Sequence, residues 1–301
     1  MKKLFITFIA AIAFSISAFA SQYVTYNNFS QFYTLAQTLG KQYGPQNVLL
    51  VYDIDCTLLT AKQQLGSDIW FNWQAGLSST DPNSKYLVSK DFNQMLQYQI
   101  ILNYFYPLYP TESNMPQLFA QLQNQGFKNL ILSARGSAWE QLTEQQMKNA
   151  GFDVQKNEIS NGFTGTYMPY NLNNISVSGL TAQDASTAKL KNPRAVAFED
   201  GIFYGSGQNK GIMLKTLLAK VGQQYKAVIF IDDTQANTDN MWAIYQNDPT
   251  VNMNCVRYSY DDSLKAAFAA EDKTQVYNQW LQFQQMEQNV FGNTTVPVTG
   301  E

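Results

Sequence analysis

The sequence contains no histidine in its 301 residues. That removes every catalytic scheme built on imidazole, including Ser-His-Asp and Cys-His nucleophile systems, phosphohistidine chemistry and most zinc hydrolase sites. Proton transfer must fall to carboxylates, Lys, Tyr, Cys or water. Charge is also scarce, with charged residues making up 14% of the chain, against roughly 25% in an average soluble protein. Asn and Gln supply much of the polar surface instead. With a net charge of −3 and no Lys/Arg run, the chain offers no electrostatic footprint for nucleic acid and no polybasic membrane patch. Cysteine is limited to Cys56 and Cys255, which admits at most one disulfide. What is present is a hydrophobic content of 45%, enough for a sizeable core and unlike a disordered chain.

The first twenty residues, MKKLFITFIAAIAFSISAFA, read as a secretory signal of bacterial type. Lys2 and Lys3 form the charged region, Leu4 to Phe14 the apolar stretch, and Ala18-Phe19-Ala20 the cleavage site. The apolar run is short for about 20 spanning residues and is interrupted by Ser15 and Ser17. The mature protein is therefore expected in the periplasm or the medium, without a membrane anchor. At the other end, residues 291–301 carry no periodicity and are expected to form a loose tail.

Between these ends, short apolar runs alternate with helical patterns. Asn47 to Tyr52 is a β-type run that stops at Asp53; Asn129 to Leu132 stops at Ser133, and Ala227 to Ile231 stops at Asp232. Val251 to Tyr258 is a fourth run. Runs of this kind suit strands buried on both faces of a parallel sheet. Helices are expected at 30–43 with Ser30 as N-cap, at 115–125, from a Ser137–Glu140 capping box to Ala150, at 211–221 and at about 238–247. Val196 to Tyr204 reads as a β-hairpin turning at Asp200-Gly201. The alternation predicts an α/β fold with a doubly wound, Rossmann-like parallel sheet, whose ligand site lies beyond the carboxyl ends of the strands. Two stretches interrupt it: residues 60–112, rich in aromatics such as Trp70, Trp73, Tyr98 and Tyr106, and the polar, loop-like residues 152–193.

Four pieces carry chemistry. Asp53 and Asp55 flank Ile54 just past the first run, and at i and i+2 both carboxylates can face one site. Asp232-Asp233 follows the third run. Together these acids make an oxygen-rich pocket without soft ligands, suited to a hard cation such as Mg²⁺. Lys210 opens a helix, the end where a cation is disfavoured unless it meets an anion. Ser133, with the backbone N–H groups of Ala134 and Arg135 near a helix start, is a ready set of phosphate donors. Each piece alone is also explained by a polar turn, an N-cap or a snorkelling surface lysine.

Their order, each at a strand end or a helix start, resembles the haloacid dehalogenase (HAD) superfamily of phosphotransferases, with Asp53-x-Asp55-x-Thr57, Ser133, Lys210 and Asp232-Asp233 as its four motifs. The resemblance covers about residues 45–260, and the run Leu65 to Gln74 is similar to a secreted, little-characterised bacterial subfamily. Cys56 departs from the pattern, since many members have Gly there. The resemblance implies a HAD core at about 21–59 and 113–290, with 60–112 as a mainly helical cap and 152–193 as a second insertion. It implies an exported Mg²⁺-dependent phosphatase acting on small phosphorylated substrates. Asp53 would attack phosphorus, Asp55 would act as acid and then base, Thr57 would orient Asp55, and Ser133 and Lys210 would hold the phosphoryl group. The metal would bind Asp53, the backbone carbonyl of Asp55, Asp232 and Asp233. Arg135 either binds a substrate anion or fixes its loop. The cap aromatics either line an entrance or pack the cap against the core. A Cys56–Cys255 bridge would constrain the nucleophile's own loop. Two other uses of the same fold stay open: a catalytically silent interaction protein, and a phosphotransferase to an acceptor other than water.

Overall fold

A computed structural model describes residues 20–159 and 162–292. The leader expected at 1–20 and the tail expected at 291–301 lie almost wholly outside the described residues. The described chain runs β1 (Gln22–Tyr26), α1 (Phe29–Tyr43), β2 (Val48–Tyr52), β3 (Leu59–Thr60), α2 (Asp68–Gly76), α3 (Phe92–Tyr104), β4 (Tyr109–Pro110), α4 (Met115–Asn124) and β5 (Lys128–Ser133). It continues through α5 (Glu140–Asn149), β6 (Gly165–Tyr167), α6 (Ala182–Ala188), β7 (Val196–Glu199), β8 (Ile202–Tyr204) and α7 (Lys210–Val221). It closes with β9 (Ala227–Asp232), α8 (Gln235–Tyr245), β10 (Asn252–Tyr258), α9 (Asp262–Ala270) and α10 (Thr274–Phe291).

Eight strands form one sheet in the order β1-β10-β9-β2-β5-β8-β7-β6, parallel from β1 through β8. The α/β class and the mostly parallel, Rossmann-like sheet agree with the alternation in the sequence. Residues of β2 alternate between faces because successive strand side chains point opposite ways. Leu50 and Tyr52 pack with Phe32 of α1 and Phe119 of α4, whereas Leu49 and Val51 pack with Leu214 and Leu217 of α7. All five β2 residues are buried, so an unbroken apolar run is what this position requires. From β2 the chain winds outward to β5 and β8, then returns through α7 to β9 on the other side of β2. That reversal puts a crevice beyond the ends of β2 and β9, the usual ligand position in such sheets.

Several local expectations need correction. Asn28, not Ser30, caps α1, its side chain accepting from Gln31 N. Ser137 makes no capping box; a 3₁₀ turn at Ser137–Trp139 leads into α5 without a side-chain cap. Residues 152–193 are not only loop, since they hold β6 and α6, the latter with its own Thr181–Asp184 capping box. The hairpin turns as expected, with both Asp200 and Gly201 at positive φ. The edge strand β1 and the helices α9 and α10 are additional to the elements expected from the sequence. Cys56 and Cys255 are buried free thiols, so no bridge forms.

The insertion is pinched at its base by the pairs Leu59↔Pro110 and Thr60↔Tyr109. Trp70 of α2 and Tyr98 and Leu102 of α3 form a separate cluster with Phe268 of α9 and Val276 and Trp280 of α10. The buried aromatics therefore pack the insertion onto the C-terminal helices, while Tyr104 and Phe105 remain exposed. Among the described residues, no helix is long and apolar enough to cross a membrane.

Candidate functional site

Parallel pairing in register brings the acids together. Tyr52 lies opposite Ile231 across β2 and β9, and the N–H of Asp53 donates to the Ile231 carbonyl at 3.0 Å. Asp53 and Asp232 thereby leave the sheet side by side. The chain then turns back on itself: Thr57 N and Leu59 N both donate to Ile54 O, and Cys56 sits at φ +55. That is the left-handed region glycine favours, and here the small Cys56 adopts it.

Lys210, first residue of α7 and 2% exposed, lies between the two acids, its Nζ 2.5 Å from Asp53 Oδ1 and 2.6 Å from Asp232 Oδ2. Asn209 caps this helix by accepting from Ile212 N. Asp232 also accepts from Thr234 N at 2.8 Å and from the Asn237 amide at 3.1 Å. Asp233 is 3% exposed and pairs with Lys265 of α9. Thr57, expected to orient Asp55, directs its hydroxyl to Asp53 and Asp233. Its hydroxyl is 3.3 Å from Asp53 Oδ2 and 3.4 Å from Asp233 Oδ1, and accepts from Asp233 N at 3.0 Å. It ties the first acid loop to the last.

Asp55 is held by Arg135 instead. Arg135 Nε donates to Asp55 Oδ2 at 2.9 Å and Nη2 to Oδ1 at 2.6 Å. Its Nη1 donates to Thr143 Oγ1 and Gln146 Oε1, and the guanidinium stacks 4.6 Å over Trp139. Of the two uses left open for Arg135, its contacts are those of a residue that fixes structure. Ser133 is buried at the end of β5, and its Oγ accepts from Arg135 N at 3.1 Å, leaving the hydroxyl proton free to donate elsewhere. Ala134 is exposed beside it. The Gly205-Ser206-Gly207 turn spends its N–H groups on the carbonyls of Ser133, Arg135 and Ala134, so it braces this loop.

Two further charged residues join the site. Lys265 belongs to a helix outside the recognisable pattern. Asp68 begins α2 in the insertion and interacts electrostatically with Asp55 and Asp53. Burial, then repulsion from Asp232, pushes the Asp53 carboxyl up to about 7 despite Lys210. Burial, then Asp55 and Asp53, pushes Asp68 up to about 7. Asp233 is raised well above the usual carboxylate range, first by burial and then by Asp232. Burial pulls the Lys210 ammonium down, but Asp232 and Asp53 more than reverse this.

Asp53, Asp232 and Asp233 each offer a carboxylate oxygen within 4.8 Å of the others, all buried. With Asp55 and Asp68 there are five carboxylates against Lys210, Lys265 and Arg135, an excess of two negative charges when all are ionised. A hard divalent cation on the three aspartates would cancel that excess with the oxygen donors it prefers, so the residues present fit such an ion.

Fold and site together define an α/β protein with a buried three-aspartate centre at the carboxyl edge of its parallel sheet. Residues 28–291 match the family described as Protein of unknown function (DUF2608), and the chain belongs to that family. No curated protein and no solved structure matches it.

Proposed function

We propose that this chain is an exported Mg²⁺-dependent phosphatase of HAD type, hydrolysing phosphomonoesters through an aspartyl-phosphate. The observation that carries the reading is the placement of Lys210 between Asp53 and Asp232, with Asp233 and Ser133 on the neighbouring strand ends. A buried lysine between two acids gathers counter-charge where an anion would arrive, and a phosphoryl group needs a nucleophile, an acid and positive charge at one point.

In this reading an Asp53 oxygen attacks phosphorus as the bond to the leaving alcohol breaks, and Asp55 supplies the alcohol's proton. Asp55 then removes a proton from the water that cleaves the aspartyl-phosphate. Arg135 holds Asp55 in place for both steps. Thr57 holds Asp53 and Asp233 apart at fixed spacing, a role different from the one its motif suggests. The Ser133 hydroxyl, already accepting from Arg135 N, donates to a phosphoryl oxygen. Lys210 neutralises Asp53 and the incoming charge. Asp53, Asp232, Asp233 and the Asp55 carbonyl would hold Mg²⁺, which would supply Lewis-acid polarisation of the phosphoryl group. The insertion at 60–112 acts as the cap that limits access. Export rests on the leader-like residues 1–20, and N-terminal sequencing of protein recovered outside the cytoplasm should begin at Ser21.

The deciding experiment is phosphate release from a panel of phosphomonoesters with Mg²⁺, wild type beside Asp53→Asn. Turnover that Asp53→Asn abolishes while the fold is kept supports the reading. Equal rates in the two proteins, or none in the wild type across the panel, refute it.

A further inference from the structure

A pocket of about 80 Å³ borders Asp55 and Cys56 but none of Asp53, Asp232 and Asp233. In the phosphatase reading, on which this inference rests, Asp55 is the acid that protonates the leaving alcohol, so a pocket bordering it is placed to take that alcohol's organic part. Its other walls come from the insertion and α9, with Leu108 and Phe268 giving apolar surface and Gln99 an amide. The volume is far below the roughly 300–1,000 Å³ of clefts that take drug-sized ligands, so a nucleoside is too large and an alcohol of a few carbons is the right scale.

The charged groups around it are unequal. Lys62 at the rim is exposed and lies 3.9 Å over the Tyr109 ring. Glu271, also at the rim, is exposed. Inside, Asp55 is matched by Arg135. Asp68 is held by the Asn72 amide at 2.7 Å, and among the described residues no Lys or Arg lies within ion-pair distance of it. A second anionic group on the substrate would be carried against this carboxylate, which Lys265 and Arg135 reach only from beyond ion-pair distance, in a partly desolvated space where like charges repel. Hydroxyl or ammonium groups would meet acceptors there.

We infer that this pocket receives the organic part of the substrate, that it selects small alcohols without a second anionic group, and that Asp68 is the specificity-determining residue.

The test compares kcat/KM for three esters of similar size: glycerol phosphate, ethanolamine phosphate and phosphoglycolate. In the wild type, phosphoglycolate should be about tenfold or more poorer than the other two. The ratio of glycerol phosphate to phosphoglycolate should fall about tenfold in Asp68→Asn and persist in Asp68→Glu, which keeps the charge. Equal wild-type values for the neutral and anionic esters overturn the inference, whatever the variants do, and so does an unchanged ratio in Asp68→Asn. Both outcomes leave the phosphatase reading standing. Absence of Asp53-dependent turnover of all three esters, with turnover of other phosphomonoesters, overturns this inference alone; absence across the whole panel overturns the phosphatase reading and this inference with it.

Discussion

Arg135 grips both carboxylate oxygens of Asp55, Nε to Oδ2 at 2.9 Å and Nη2 to Oδ1 at 2.6 Å. Arg135 is 6% exposed, and its remaining donor nitrogen is taken by Thr143 and Gln146 of α5. Gln146 in turn donates to Asn103 of α3, whose amide reaches the carbonyls of Gly66 and Gln99. The second acid of the loop is thus anchored through core helix and insertion alike.

If Asp55 donates the leaving-group proton, losing its anchor should matter most where that proton is needed most. Arg135→Ala is expected to lower kcat on an alkyl phosphate by about 10²-fold, and much less on an aryl phosphate whose leaving group departs unprotonated. Arg135→Lys should recover little, because a lysine cannot reproduce the two-pronged contact. An equal loss on both substrates would show that Arg135 serves stability alone.

Lys210→Met should leave Asp53 and Asp232 buried without their shared cation. Removing one partner of a buried pair costs about 3–5 kcal/mol, so urea unfolding of the metal-free variant should show a loss of that order. A variant as stable as wild type would mean the two acids are already neutral without Lys210.

Binding of Mg²⁺ at the three aspartates should stabilise the folded protein by about 2.7 kcal/mol at a concentration a hundredfold above Kd. The shift should vanish in Asp232→Asn, and turnover should stop in excess EDTA. Retained turnover under EDTA would remove the metal from the proposal.

The raised carboxyls set a pH dependence for the metal-free protein. Asp53 and Asp68 rise to about 7 in the fold and Asp233 rises too, whereas an unfolded Asp titrates near ~3.9. Between those values the folded state binds more protons than the unfolded state, so stability falls as pH rises through that window. Without metal, melting should occur at lower temperature at about pH 8 than at about pH 5.5, and Mg²⁺ should shrink the difference. Flat or rising metal-free stability over that range would contradict the charge excess.

Trp280→Ala tests the union of the insertion with α10. Trp280 is 2% exposed, and its ring centre lies 4.6 Å from Tyr98 and 6.5 Å from Trp70. Truncating a buried tryptophan costs about 3–5 kcal/mol, and here the loss should appear first as faster amide exchange in α2 and α3. Exchange that speeds up uniformly over the sheet would mean the Trp70–Tyr98–Trp280 cluster does not open separately.

Much of the core was readable in advance because its signals are local. β2 and β9 are unbroken apolar runs and β5 holds a shorter one, Leu130 to Leu132, each closed by a polar residue at the site, and Asp200-Gly201 marks a turn by backbone preference alone. The edge strand β1 was not legible because Gln22–Tyr26 is short and only half-buried, so no apolar run marks it. α10 has only Val276 and Trp280 buried, too few for a clear periodic stripe. Lys265 is an ordinary helix residue until another part of the chain is folded against it, and nothing in the Leu65–Gln74 run by itself marks Asp68 as a charge that meets Asp55 and Asp53.

The sequence by itself determined the class of fold, the absence of imidazole chemistry and the identity of the residues that could do chemistry in its place. Those depend on composition, on two-residue and helical periodicities and on residue type, which neighbours along the chain express without help. The tertiary structure alone decided that Arg135 takes Asp55, that Thr57 serves Asp53 and Asp233, and that Lys265 and Asp68 join the site. Such pairings depend on strand register and on how separate helices dock. Residues far apart in the chain meet only when burial of both sheet faces brings them together.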